Sequence, residues 1–166
     1  MEIDKLTYEI EPGFLYGRPG PNKSLWHLDG MKKAGIKVIL SLVSNPTRQE
    51  VEKAGLIHYQ LPFEDKIYRP YKTANQHVLE ILKKFDEIID KHLDRREAIL
   101  VHCNSGKDRT GLLLVYYLVS RKGLNSKRAI SEIKKLKPTA LSAKGYEDIA
   151  YAIEPWMKER RSQILM

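Results

Sequence analysis

The sequence predicts an α/β domain with a central, largely parallel sheet of about four to five strands, flanked by helices. Two observations favour this class. Short apolar, β-branched runs alternate with segments whose apolar residues recur near a helical period. One run, Ala98 to Val101, is apolar without interruption, as is typical of a strand covered on both faces. At 166 residues the chain is expected to form a single domain, 1–166, with a core of its own.

The N-terminal half of the chain is predicted to form three short strands and two helices. The predicted strands are 14–16, 38–42 and 57–61. Ser24 is the predicted N-cap of a helix that runs to about Ala34, because a serine hydroxyl can accept from the unpaired N–H groups of a first turn. Asn45 is the predicted N-cap of the next helix, with Pro46 at its first helical position.

The C-terminal half is predicted to contain one long loop, one strand and four helices. The predicted bounds are 62–71 for the loop, 98–101 for the strand, and about 73–93 and 109–122 for the first two helices. Two prolines beyond any strand pattern favour the loop, and apolar residues recurring near a 3.6 period favour the long helix. Two more helices, separated by Pro138, are predicted to be capped by Asn125 or Ser126 and by Ser142.

The composition narrows the kind of protein this can be. One cysteine excludes a disulfide framework and a cysteine-rich zinc site. The longest apolar run, 112–119, is too short to span a bilayer, so no transmembrane segment is expected. The first residues are acidic and lack the apolar region of a signal peptide. The predicted compartment is therefore the cytoplasm.

The net charge of +8 indicates an acidic partner without identifying it. Between Arg121 and Lys137 there are seven basic residues and one acid, Glu132. Two interpretations stay open: solvated helix faces, or a positive field that attracts phosphorylated substrates. Nucleic acid is the disfavoured partner, since no basic motif interleaved with aromatic residues and no helix-turn-helix signature is present.

The segment after the apolar strand carries the chemistry. It reads His102-Cys103-Asn104-Ser105-Gly106-Lys107-Asp108-Arg109-Thr110-Gly111. A strand, a loop of small and polar residues and a helix in this order aim backbone N–H groups at one point, and the helix dipole adds positive potential there. Cys103, the only cysteine, lies at the start of the loop, where such a field favours the reactive thiolate. The sequence therefore predicts a phosphate-binding loop with a nucleophile at one end.

Several side chains have predicted roles in this loop. The planar guanidinium of Arg109 can hold two phosphoryl oxygens at once, which a lysine cannot copy. Gly106 allows a tight turn and a close backbone approach. Thr110 is predicted to donate its hydroxyl to the sulfur of Cys103, and His102 is predicted to support the loop from behind. We therefore predict Cys103, Arg109 and Thr110 as catalytic residues and His102 as a supporting one.

The residues between the cysteine and the arginine are predicted to contact phosphate or substrate: Asn104, Ser105, Gly106, Lys107 and Asp108. Lys107 has two open interpretations, a contact to a second phosphate of the substrate or a rim cation that raises the local potential. Asp108 can tether Lys107 or a neighbouring loop. A Walker nucleotide loop is excluded, because the Gly106-Lys107 pair is followed by Asp108 rather than by Ser or Thr.

The run His102-Cys103-x-x-Gly106-x-x-Arg109-Thr110-Gly111 resembles the signature of the cysteine-dependent protein tyrosine phosphatase superfamily, and the small size resembles its dual-specificity branch. The resemblance implies a dual-specificity-phosphatase-like fold. It implies a reaction in which the thiolate takes the phosphoryl group and water then hydrolyses the cysteinyl-phosphate. It implies no metal and no other cofactor. The expected substrate is a phosphorylated protein, bearing phosphotyrosine and also phosphoserine or phosphothreonine, or a small phosphorylated molecule, and the expected state is a monomer.

The same resemblance implies a general acid on a loop upstream of the cysteine. Asp65 lies on the predicted loop after the strand 57–61 and is the predicted acid. Glu64 is the alternative acid, and a solvated carboxylate without a catalytic role is the alternative for both. The segment from Pro62 to Asp65 also resembles the corresponding segment of a phosphoinositide phosphatase.

Other functions stay open beside the leading one. A lysine at the position of Lys107 occurs in phosphoinositide phosphatases, so a phosphoinositide or inositol-polyphosphate phosphatase is the first alternative. An RNA 5′-triphosphatase of the same fold and a phosphate-binding module without turnover are the others. Arg18 is predicted to be structural, with a contact at the rim of the site as its alternative role.

Overall fold

A computed structural model describes residues 4–63 and 71–165, without the side chains of 71–75 and 156–165. The described residues form a five-stranded sheet flanked by helices. The strands are β1 (Tyr8–Glu11), β2 (Leu15–Arg18), β3 (Ile36–Ser41), β4 (Ile57–Gln60) and β5 (Ala98–His102). The helices are α1 (Leu28–Lys33), α2 (Arg48–Lys53), α3 (Tyr71–Asp94), α4 (Arg109–Lys122), α5 (Ser126–Leu136) and α6 (Tyr146–Leu165).

The sheet has the order β1-β2-β5-β3-β4. Three neighbouring pairs are parallel, namely β2 with β5, β5 with β3, and β3 with β4. At one edge β1 pairs antiparallel with β2. The predicted α/β class with a largely parallel sheet is therefore confirmed. Strand β5 lies in the middle and all five of its residues are buried, which explains its uninterrupted apolar sequence.

Each face of the sheet has its own core. On one face, strand residues such as Leu15 and Val101 join the large cluster formed with the apolar sides of α3, α4, α5 and α6. On the other face, Tyr16 and Leu100 join a smaller cluster formed with the segment that contains Trp26, α1 and α2. Neighbouring residues of β2 and β5 thus point to opposite cores, as the period of a strand requires.

The carboxyl ends of three parallel strands meet at one edge of the sheet. Arg18 at the end of β2 and Ser41 at the end of β3 are both in register with His102 at the end of β5. In open parallel sheets this edge is where ligands bind. The predicted loop, which begins at Cys103, leaves the sheet at this point.

Most predicted helices and strands are present, and three predicted helix starts are wrong. Helix α1 begins at Leu28 rather than after Ser24, because the backbone N–H of Ser24 is bonded to Gly20 in a turn. Helix α2 is capped by Thr47, whose hydroxyl accepts from Glu50, and not by Asn45.

The third error is Ser142, since α6 begins at Tyr146. The choice left open for α5 is settled for Asn125, whose side chain accepts from the backbone of Arg128 at 2.8 Å. Strand β1 is not among the strands that the sequence predicts. Among the described helices, none is long and apolar enough to cross a bilayer.

Candidate active site

The loop 103–108 joins the central strand to the N-terminus of α4. Cys103 follows the last residue of β5, and Arg109 is the first residue of α4. Both side chains are largely enclosed, with exposed fractions of 2% for Cys103 and 6% for Arg109. The helix N-terminus and its partial positive charge therefore lie beside the thiol, as the sequence predicts.

Four carbonyl groups of the loop are held by hydrogen bonds from outside it. Because the C=O and N–H of a trans peptide unit lie in one plane and point in opposite directions, these bonds also fix four N–H directions. Those four N–H groups make no hydrogen bond to another described residue. Two of the donors are side chains: the ring of His102 bonds to the carbonyl of Cys103 at 3.0 Å, and the hydroxyl of Tyr8 to that of Gly106 at 2.6 Å. The other two are backbone N–H groups: that of Gly20 bonds to the carbonyl of Asn104 at 2.9 Å, and that of Leu141 to the carbonyl of Lys107 at 3.1 Å.

This arrangement gives the loop its capacity to bind an anion. The N–H groups opposite the held carbonyls belong to Asn104, Ser105, Lys107 and Asp108. A set of oriented backbone donors at a helix N-terminus stabilises a tetrahedral anion without any rearrangement on binding. For the phosphate contacts predicted at these four residues, the structure offers backbone N–H groups as the donors.

Tyr8 is a site residue that the sequence reasoning missed. Its hydroxyl lies on the edge strand β1 and donates to the carbonyl of Gly106, 98 positions away in the chain. Burial raises the pKa of Tyr8, and the nearby Cys103 raises it further. The phenol therefore remains protonated and keeps its role as a donor. Its distance along the chain explains why no local pattern reveals it.

Two glycines allow another segment to pack directly on the loop. Gly106 has a φ of +69°, and a Cβ there would lie 2.4 Å from the backbone carbon of Arg18. A Cβ on Gly20 would lie 2.4 Å from the carbonyl oxygen of Cys103. Both contacts are with backbone, which cannot move aside. The sequence predicts the need for Gly106 but not for Gly20.

Arg18 is structural, as the sequence predicts, and its guanidinium does not lie at the rim of the site. The side chain is 1% exposed and forms an ion pair with Asp4 at 2.9 Å. It also stacks on the ring of Trp26 at 5.6 Å and donates to carbonyls of the segment 19–25. These bonds hold the segment that carries Gly20 against the loop.

Lys107 and Asp108 tie the loop to the segment before α6. Lys107 donates to the carboxylate of Asp108 at 2.6 Å and to the hydroxyl of Ser142 at 3.1 Å. The other carboxylate oxygen of Asp108 accepts from the backbone of Ala143 at 3.2 Å. Asp108 therefore tethers both Lys107 and the neighbouring segment, the two roles that the sequence left open. Its carboxylate is engaged in these bonds.

Arg109 reaches the segment of the predicted general acid. Its guanidinium donates to the carbonyl of Phe63 at 3.0 Å. Phe63 is the last described residue before the gap at 64–70, and its side chain is 3% exposed. Asp65 and Glu64, the predicted acid and its alternative, lie outside the described residues.

The hydroxyl of Thr110 does not make the hydrogen bond that the sequence predicts for it. Its hydroxyl is buried and has no hydrogen-bond partner within the described ranges. The predicted bond from this hydroxyl to the sulfur of Cys103 is therefore not formed in this structure. Thr110 does lie in the first turn of α4, next to Arg109.

His102 lies behind the loop, where the sequence places its support. One ring nitrogen, Nδ1, is 3.0 Å from the carbonyl oxygen of Cys103, and the other, Nε2, is 2.6 Å from the hydroxyl of Ser41. That hydroxyl is also 2.9 Å from Nε2 of His58. Burial lowers the pKa of His102 to about 4, so the ring is neutral near pH 7.

The basic segment from Arg121 to Lys137 begins far from the loop and ends four residues before Leu141, which bonds to the loop. It begins at the far end of α4, and a helix of 14 residues separates its ends by about 20 Å. Four of its cations pair with described acids: Arg121 with Asp86 and Asp90, Lys122 with Glu11, Lys134 with Glu147, and Lys135 with Glu132. These pairs favour solvated helix faces over a field focused on the loop.

Comparison with known proteins gives a family match over most of the chain. The family model described as the catalytic domain of dual specificity phosphatases matches residues 20–154. The chain is 32% identical over 154 residues to the protein-tyrosine-phosphatase IBR5 of Arabidopsis thaliana, covering 90% of this chain and 52% of the relative. Tyr8 and strand β1 lie outside the matched range of the family model.

Two further likenesses bear on the fold and on the alternatives. The chain is 24% identical over 152 residues to the mRNA-capping enzyme of Caenorhabditis elegans, covering 91% of this chain and 22% of the relative. The chain thus spans about half, or less, of the length of these curated relatives. The crystal structure of Tk-PTP in its active form superposes with a TM-score of 0.73 at 21% identity, covering 92% of this chain and 99% of the other.

Proposed function

Because the chain belongs to the dual specificity phosphatase catalytic-domain family, we propose that it hydrolyses phosphate monoesters of tyrosine, and of serine and threonine, in proteins. The observation that carries the proposal is the loop 103–108, with four carbonyls held from outside and a buried cysteine and arginine at its ends. The proposal includes a monomeric enzyme of the cytoplasm that acts without a metal or other cofactor.

The proposed reaction has two steps. In the first, the Cys103 thiolate attacks phosphorus, the bond to the substrate oxygen breaks, and Asp65 gives that oxygen a proton. In the second, Asp65 takes a proton from water, the water oxygen attacks phosphorus, and the thiolate leaves. In both steps Arg109 and the backbone N–H groups stabilise the charge on the phosphoryl oxygens.

Replacing Asp65 by Asn is expected to lower kcat by about 10²–10⁴-fold. The change removes the proton that the leaving oxygen needs, so the descending alkaline limb of the pH–rate profile is expected to disappear as well. Stopped assays with an aryl phosphate across pH measure both effects. The matched control is Glu64→Gln, which is expected to retain the alkaline limb.

The outcome that would reassign the acid is specific. If Glu64→Gln loses the alkaline limb and Asp65→Asn keeps it, Glu64 is the general acid. If neither variant changes kcat or the profile, the proton donor does not lie on this segment.

The hydrogen bonds of the Lys107 side chain favour a monophosphate over a polyphosphorylated substrate. Its ammonium group is held by Asp108 and Ser142, and the side chain is 27% exposed. A second substrate phosphate would have to compete with a carboxylate 2.6 Å away. The inositol-polyphosphate alternative therefore lacks the prepared cation that it requires.

An RNA 5′-triphosphatase is the second candidate function, favoured by the similarity to the nematode mRNA-capping enzyme and by the net charge of +8. Against it, four of the seven cations of the basic segment are already held by acids in ion pairs within the described residues.

A substrate panel tests the proposed function. We expect phosphotyrosine peptides to give the highest kcat/KM, followed by phosphoserine and phosphothreonine peptides, with phosphate release measured at equal ionic strength. Inositol polyphosphate and triphosphate-ended RNA complete the panel. Faster release from either of these than from every peptide would replace the proposal with the corresponding alternative.

A further inference from the structure

A line of buried polar groups runs from the loop into the sheet. It connects the carbonyl of Cys103, the ring of His102, the hydroxyl of Ser41 and the ring of His58 through contacts of 3.0, 2.6 and 2.9 Å. His102 and Ser41 are fully buried, and His58 is 3% exposed. Among these side chains only His102 has a role predicted from the sequence, so Ser41 and His58 call for a separate account.

The position of every proton in this line follows from its first member. A carbonyl oxygen can only accept, so Nδ1 of His102 must carry a proton and donate to Cys103. The ring is neutral, which leaves Nε2 of His102 without a proton, and the Ser41 hydroxyl must donate to it. The Ser41 oxygen is then left to accept from Nε2 of His58.

The far end of the line agrees with this assignment. A neutral His58 that carries its proton on Nε2 has a bare Nδ1, and that atom has no hydrogen-bond partner in the part of the chain that the structure describes. Burial lowers the pKa of His58, the charge of Arg48 lowers it further, and Glu52 opposes them. The three bonds therefore all point the same way, toward the loop.

We infer that Ser41 and His58 are positioning residues, which hold His102 in its Nδ1–H form and so fix the peptide unit between Cys103 and Asn104. The carbonyl of that unit is the acceptor, and its N–H, on the opposite side, is the first backbone donor of the loop. If Nε2 of His102 carried the proton instead, the Cys103 carbonyl would lose its donor. Hydrogen bonds in one direction also strengthen one another.

The first test needs no variant and does not depend on the proposed function. Long-range proton–nitrogen spectra of the labelled protein near pH 7 distinguish the two neutral forms of each ring. We expect His102 in the Nδ1–H form and His58 in the Nε2–H form. Observing His102 as Nε2–H, or His58 as Nδ1–H, would overturn the inference even if the enzyme is a phosphatase.

The second test uses variants, and it rests on the proposed function for its kinetic part. His58→Leu removes the donor to Ser41, while His58→Gln offers a side-chain N–H in its place. We expect kcat on an aryl phosphate to fall about five- to tenfold in His58→Leu and to recover most of that loss in His58→Gln. Ser41→Ala removes the donor to Nε2 of His102 and is expected to lower kcat by a similar factor.

The matched control is His92→Leu. His92 is another fully buried histidine bonded to a hydroxyl, that of Tyr59 at 2.8 Å, and it lies near the end of α3. Its other ring nitrogen lies 3.0 Å from the carboxylate of Glu97, and neither bond reaches the loop. Compared at equal folded fraction, this variant is expected to keep kcat and the His102 form. A loss of kcat in His92→Leu equal to that in His58→Leu, or an unchanged kcat in His58→Leu, would overturn the positioning role.

Discussion

Cys103→Ser is expected to abolish turnover of an aryl phosphate, with a fall of at least about 10⁴-fold in kcat. The hydroxyl of serine is a far weaker nucleophile than a thiolate, and it cannot accept a phosphoryl group and release it again under the same conditions. The exchange is nearly isosteric at a site that is 2% exposed. We therefore expect the variant to remain folded and to bind phosphate ester.

Two measurements complete this prediction. Thermal unfolding shows whether the variant keeps the fold, and protection from unfolding by an added phosphotyrosine peptide shows whether it keeps binding. Turnover that survives in Cys103→Ser, in chelator and with purified protein, would mean that another group is the nucleophile.

Arg109→Lys is expected to lower kcat/KM by about 10²–10³-fold. A lysine keeps the positive charge but offers a point charge in place of two parallel donors, so the phosphoryl oxygens lose their paired contact. The same change weakens the bond to the carbonyl of Phe63, which begins the segment of the predicted acid. Steady-state kinetics on an aryl phosphate measures the effect.

The matched control is Arg121→Lys, at the other end of the same helix. Arg121 pairs with Asp86 and Asp90, and it lies about 20 Å from the loop. We expect kcat/KM to stay within about twofold of wild type, as for a surface substitution. A loss in Arg109→Lys no larger than in this control would exclude the guanidinium from phosphate binding.

The strand, loop and helix at the centre of the site could be predicted because their signals are local. The apolar run 98–101 matches β5, and the predicted bounds of α4, Arg109 and Lys122, are those observed. The uninterrupted apolar run marks a fully buried strand, and the glycine marks the end of the helix, so local sequence alone determines both elements. Cys103 and Arg109 follow from the same short motif.

The groups that orient the loop could not be predicted in this way. Tyr8, Gly20 and Leu141 reach it from three distant parts of the chain, and each acts through a single hydrogen bond. A contact between β1 and the loop has no signal in the periodicity or the residue spacing of the sequence. The partners of His102 were missed for the same reason, since Ser41 and His58 lie on neighbouring strands.

Two of the wrong helix caps have a common physical origin. Ser24 and Ser142 look like N-caps in the sequence, but their groups are engaged around the site instead. The carbonyl of Ser24 accepts from Arg18, and the hydroxyl of Ser142 accepts from Lys107. The bond of Ser142 reaches the functional loop, and that of Ser24 reaches Arg18, which supports the segment packed on the loop. Tertiary bonds at and beside the site thus override local capping preference.

The covalent intermediate offers the most direct test of the central claim, that Cys103 carries the phosphoryl group during turnover. Wild-type protein is mixed with a phosphorus-labelled aryl phosphate, quenched in acid within the first turnover, and digested for peptide mass spectrometry. We expect label on the peptide that contains Cys103, as a cysteinyl-phosphate that is absent from Cys103→Ser. Label on a different residue, or product release during the first turnover without any labelled protein, would contradict it.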